Sequence, residues 1–117
     1  MQKILIVDDD PNIRSYLAAL FEDHGYVTVA AGDVSEALQT AQNERPDLIT
    51  LDLDLPGEWG PRFYRSLSQD PELKSIPIIV ISAMPGSRYA IGNAVASFNK
   101  PFDREELLKT VGETLNS

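Results

Sequence analysis

Short apolar runs alternate along the chain with stretches whose apolar residues recur every three or four positions. Lys3–Val7 contains Ile4-Leu5-Ile6-Val7, an unbroken run that reads as a strand buried on both faces. Asp10-Pro11 then supplies a helix cap followed by proline at the first helical position. Behind it Ile13, Tyr16, Leu17, Leu20 and Phe21 fall on one helical face, and Gly25 is a stop signal. Tyr26–Ala30 reads as a second strand. Asp33 with Glu36 forms a capping-box-like start for a helix using Val34, Ala37, Leu38 and Ala41, which Pro46-Asp47 breaks. Leu48–Leu51 is the third strand, Leu55-Pro56-Gly57 a turn, and a helix starting near Pro61 uses Phe63, Tyr64 and Leu67 before Asp70-Pro71. Ile76–Ile81 is the fourth strand and Ala94–Phe98 a weaker fifth. Asp103 with Glu106 caps a last helix whose inner face is Leu107, Leu108, Val111 and Leu115.

Strands separated by helical patterns imply parallel strands joined by right-handed crossovers. Five such units make an α/β fold, an open doubly wound sheet with helices on both faces. The 117 residues fit one domain over 1–117, with no linker and no diagnostic repeat.

Composition narrows the chemistry. With no cysteine there are no disulfides, no thiolate catalysis and no cysteine zinc site. A lone histidine, His24 at a helix end, leaves nothing for a two-histidine metal site or a well-placed Ser-His-Asp triad. Ten Lys+Arg against 18 Asp+Glu give a formal charge of −8, which disfavours autonomous binding to nucleic acid or to an anionic membrane. No apolar run spans a bilayer and the start is no signal peptide, so a cytoplasmic location is expected.

In a doubly wound sheet, ligands bind outside the carboxyl ends of the strands, at the switch in strand order. Here the residues leaving those ends are Asp8-Asp9-Asp10, Asp52 and Asp54, Ser82, and Asn99-Lys100. Carboxylates converging on one edge repel unless a cation or proton intervenes, and a hard divalent ion with oxygen ligands, Mg²⁺ above others, answers that repulsion. A hydroxyl and an ammonium opposite the metal would then bind the oxygens of a phosphoryl group. Taken singly each part is ordinary: Asp10 reads as the helix cap, a serine ending a strand as a turn former, a lysine before proline as a solvated side chain. The combination, in this order at four strand ends, points to phosphoryl chemistry.

Over essentially its whole length the chain resembles a response-regulator receiver domain of the CheY-like superfamily. The resemblance rests on Ile4-Leu5-Ile6-Val7-Asp8-Asp9-Asp10-Pro11, on Asp47 through Gly57, on Pro77–Ala83 and on Lys100-Pro101-Phe102. It implies strand order 2-1-3-4-5. It also implies that Asp52 accepts a phosphoryl group from a histidine kinase or a histidine phosphotransfer protein. Asp9 and Asp52 would bind Mg²⁺ directly, Asp8 through water, and the main-chain carbonyl of Asp54 would add a ligand. Ser82 would hydrogen-bond the phosphoryl group and Lys100 would pair with it. The new charge would shift an existing equilibrium between two packings of the loops, controlling a partner or an attached output domain. Such a chain is a switch and not a turnover enzyme on an outside metabolite.

The sequence also departs from that pattern. Seventeen residues, Ala83 to Asn99, separate Ser82 from Lys100, shorter than the family's usual spacing by about one helical turn. With one Pro and two Gly between Met84 and Asn93, a fourth helix there is expected to be short or irregular. Ser97 occupies the position of the family's switch aromatic, and Phe98, one residue later, is expected on the opposite face. Tyr89 is a possible substitute for that aromatic or a packing residue of the short loop. Asp54 places an extra acid beside the acceptor, and Trp59 lies close to the site. Arg62, Tyr64 and Arg65, or Arg88 and Tyr89, offer surface to a partner. Two other readings stand beside the receiver. One is a degenerate receiver used as a phosphorylation-independent interaction module. The other is a haloacid-dehalogenase-type hydrolase suggested by Asp52-Leu53-Asp54, whose motif belongs on a first strand and not a third.

Overall fold

The computed structural model describes residues 2–52, 59–82, 94–99 and 101–116. They form β1 (Lys3–Val7), α1 (Pro11–Glu22), β2 (Val27–Ala31), α2 (Val34–Glu44), β3 (Leu48–Asp52), α3 (Trp59–Ser68), β4 (Ile78–Ser82), β5 (Ala94–Asn99) and α4 (Arg104–Leu115). The five strands pair in the order β2-β1-β3-β4-β5, every pair parallel. This is the expected doubly wound sheet in the 2-1-3-4-5 order. The expected short or irregular helix between Ser82 and β5 falls on residues 83–93, outside the described residues.

Strand alternation divides the apolar residues between two cores. Leu5, Val7, Ile49, Leu51, Ile78 and Val80 face α2 and α3, where Ala37, Ala41, Phe63 and Leu67 meet them. Ile4, Ile6, Leu48, Ile79 and Ile81 face α1 and α4, against Leu17, Leu20, Phe21, Leu107 and Val111. The central strands therefore read as continuous apolar runs because both of their faces are covered. Among the described residues, one buried side-chain oxygen lacks a hydrogen-bond partner: Oγ1 of Thr50, in the middle of β3.

The helix starts follow their caps. The Asp10 carboxylate accepts from the Asn12 amide at 2.8 Å, that of Asp33 from Glu36 at 2.8 Å, and that of Asp103 from Glu105 at 2.8 Å. Glu36 reaches back to the Gly32 amide at 3.0 Å, one residue earlier than a standard capping box. Gly25 takes φ +90°, a left-handed backbone suited to the turn after α1. Arg45 ends α2 at φ 47°, just before the Pro46 that bars further helix.

Several boundaries differ from the sequence reading. β2 begins at Val27 and not at Tyr26, because the Tyr26 amide donates to Phe21 at 3.1 Å and so belongs to the turn. β4 begins at Ile78 and not at Ile76: the Ile76 amide donates to Leu73 at 3.1 Å, and Pro77 has no amide to give a ladder. α3 starts at Trp59, two residues before Pro61; a proline in the first turn removes only an amide that has no partner within the helix.

Candidate functional site

The sheet order changes direction between β1 and β3, so the crevice expected to hold a ligand opens at their carboxyl ends. Asp8 follows directly on β1 and is 2% exposed; Asp52 closes β3 and is 3% exposed. Asp9, the next residue in the loop, is exposed. One carboxylate oxygen from each of these three residues lies within 4.8 Å of the others. Two of the acids are shielded from water, which would otherwise damp their repulsion. The donor set is all oxygen and anionic, so it suits a hard divalent cation such as Mg²⁺ and offers nothing to a thiophilic metal.

Local hydrogen bonds shape this corner. The Asp8 amide donates to the Ala31 carbonyl at 3.1 Å, carrying the β1–β2 ladder one residue past β1. Oδ1 of Asp8 accepts from the Asp10 amide at 2.9 Å, which folds the acidic loop back over its own start. Asp10 is committed to capping α1, as its sequence position suggested. Ser82 closes β4, fully buried, one residue beyond Ile81, which is the register partner of Asp52. Thus the ends of β1, β3 and β4 carry Asp8 and Asp9, Asp52, and Ser82 at one edge of the sheet. Asp54 and Lys100 lie outside the described residues, as do Arg88, Tyr89 and the side chain of Trp59.

On β5 the register pairs Ser97 with Val80 and Phe98 with Ile81. Phe98 packs with the core beneath α1 and α4, the face opposite that of Val80, as alternation requires. On α3, Arg62 and Arg65 are exposed, whereas Tyr64 is half-buried against the α2–α3 core and offers less surface than its sequence position suggested.

One residue at this edge escaped the sequence reading. Arg14, on the second turn of α1, donates from Nη1 to the main-chain carbonyl of Asp8 at 2.7 Å. The sequence carries no signal for this contact, because its acceptor is a main-chain carbonyl and not a side chain.

The family model for the response regulator receiver domain matches residues 4–112. The chain is 39% identical over 113 residues to protein Rrf1 of Nitratidesulfovibrio vulgaris, covering 97% of this chain and 82% of that one. It superposes on the chemotaxis response regulator CheY4 of Vibrio cholerae with a TM-score of 0.88 at 33% identity, covering 98% of this chain and 99% of that one. The structure of response regulator TrrA from Thermotoga maritima in complex with Mg²⁺-BeF is similar at TM-score 0.87 and 31% identity, over 98% and 100% of the two chains.

Proposed function

The chain belongs to the response regulator receiver domain family, and from that premise we propose that residues 1–117 form one phosphoryl-accepting receiver whose acceptor is Asp52. The observation that carries the reading is the clustering of Asp8, Asp9 and Asp52 at the switch point of the sheet. The resemblance to a receiver solved with Mg²⁺-BeF supports it.

The donor is a phosphohistidine on a histidine kinase or a phosphotransfer protein. A carboxylate oxygen of Asp52 attacks phosphorus in line, the P–N bond breaks, and the leaving imidazole nitrogen takes up a proton. Asp9, Asp52 and the Asp54 carbonyl would hold Mg²⁺ directly and Asp8 through water, and the bound ion would supply positive charge against the crowded anionic oxygens. Ser82 donates its hydroxyl to a phosphoryl oxygen, and Lys100 pairs with the new charge. That charge biases the loops after β3 and β4 between two packings, and the favoured packing engages an output partner or domain. The chain works as a signalling switch in the cytoplasm. Among the described residues no helix is long and apolar enough to cross a membrane.

The test is intact mass after incubation with acetyl phosphate and Mg²⁺, for the wild type and for Asp52→Asn. The expected result is one added phosphoryl group that requires the metal and is missing in the variant. A folded wild type that binds Mg²⁺ yet gains no mass would favour the phosphorylation-independent interaction module. An adduct that persists in Asp52→Asn would refute the acceptor assignment.

A further inference from the structure

Both polar groups of the Asp8 main chain are held by neighbours. Its amide is bound by Ala31 at 3.1 Å and its carbonyl by Nη1 of Arg14 at 2.7 Å. The carbonyl shares its peptide plane with the amide of Asp9, so the Arg14 bond sets the direction in which Asp9 leaves the sheet. Asp8 and Asp52 sit on or directly beside paired strand ends, whereas Asp9 is an exposed loop residue with no strand to orient it.

Gly32 lies beneath the same guanidinium. A Cβ at this position would stand 2.9 Å from Nη1 of Arg14 and 3.4 Å from its Cζ, too close for the group to stay in place. The backbone does not call for glycine here, since among the described glycines only Gly25 has positive φ. The Gly32 amide donates to Glu36 at 3.0 Å, which ties this corner to the start of α2. The absent side chain makes room for Arg14.

We propose that Arg14 is a positioning residue for the metal and phosphoryl site, orienting Asp9 through the Asp8 carbonyl, and that Gly32 is the seat that keeps it there. The inference rests on the receiver reading above. It makes a prediction of distinctive sign. By charge alone a guanidinium beside the acids repels Mg²⁺, so its removal should tighten metal binding. By positioning, its removal should weaken binding, as loss of groups that orient metal ligands does by about 10–100-fold.

The experiment is calorimetric titration of Mg²⁺ into wild type, Arg14→Met, Arg14→Lys and Gly32→Ala, with thermal stability measured alongside. The expected result is an affinity roughly tenfold weaker for Arg14→Met, at the low end of that range. Gly32→Ala, which keeps the charge and disturbs only the tip of a flexible side chain, should be weakened in the same direction. Arg14→Lys, whose ammonium still donates to the carbonyl, should recover most of the loss. In the metal-free protein the amide nitrogen resonance of Asp9 should move in Arg14→Met and Gly32→Ala and stay near its wild-type place in Arg14→Lys. Binding by Arg14→Met and Gly32→Ala as tight as wild type, or tighter, overturns the inference and leaves the receiver reading intact. A wild type that binds no Mg²⁺ overturns both. If Arg14→Met does not fold, Gly32→Ala decides.

Discussion

Thr50 offers a test of the core that bears on the site two residues away. Its register partners are Ile6 on β1 and Ile79 on β4, it is 1% exposed, and its hydroxyl has no partner among the described residues. Thr50→Val replaces that oxygen with a methyl of similar shape. An unsatisfied buried polar group costs about 1–3 kcal/mol. Tightness around the added methyl takes back part of this, so a net stabilisation of about 1–2 kcal/mol is expected. With an unfolding entropy of about 2.1 cal/mol/K per residue and 117 residues, that is a rise in Tm of about 4–8 °C. The assay is urea denaturation followed by far-ultraviolet circular dichroism in the presence of a chelator, with a thermal scan in parallel. The midpoint should rise with the slope m unchanged. Thr50→Ser, which keeps the hydroxyl and loses the methyl, should fall by about 1 kcal/mol. A Thr50→Val protein no more stable than wild type would refute the reasoning and mean that the hydroxyl is satisfied, by a buried water for instance.

Two further outcomes are expected. Asp52→Asn should stabilise the metal-free chain by about 1–2 kcal/mol, because unit charges repel at this separation by about 1 kcal/mol in water and by more when partly buried; added Mg²⁺ should narrow the gap, and urea midpoints with chelator and with metal measure both. Phe21→Ala should destabilise by about 3–5 kcal/mol, since Phe21 is fully buried and meets the Tyr26 ring edge-to-face at 6.5 Å; a loss under about 1 kcal/mol in the same titration would show that the core beneath α1 and α4 collapses to fill the space.

What could be read in the sequence was whatever is local or periodic. Ile4-Leu5-Ile6-Val7 and Ile78-Ile79-Val80-Ile81 announced doubly covered strands, and Asp10, Asp33 and Asp103 announced helix starts that the hydrogen bonds bear out. Boundaries slipped where apolar character and backbone pairing part company. Tyr26 and Ile76 are apolar, yet their amides serve turns. At the site, Asp8, Asp9 and Asp52 could be gathered in advance because sheet topology alone brings the carboxyl ends of β1 and β3 together. Arg14 could not, because its partner is a main-chain carbonyl and its room comes from Gly32, on a different loop. No spacing rule along one element contains that contact. Thr50 escaped for the same reason: whether its hydroxyl is satisfied depends on what packs over β3, not on the strand itself.

The central placement of β1 and β3 has a mechanical consequence. Each is hydrogen-bonded along both sides and covered on both faces, while β2 and β5 each close an edge of the sheet. Amides in such strands are released to solvent only by openings that approach global unfolding, whereas edge strands and corners open at far lower free energy. The acidic cluster therefore stands on the stiffest floor the molecule has, and that floor yields little when the charge above it changes. Any displacement is passed sideways, into the edge strands and corners, and a map of amide exchange would show β3 silent while its surroundings respond.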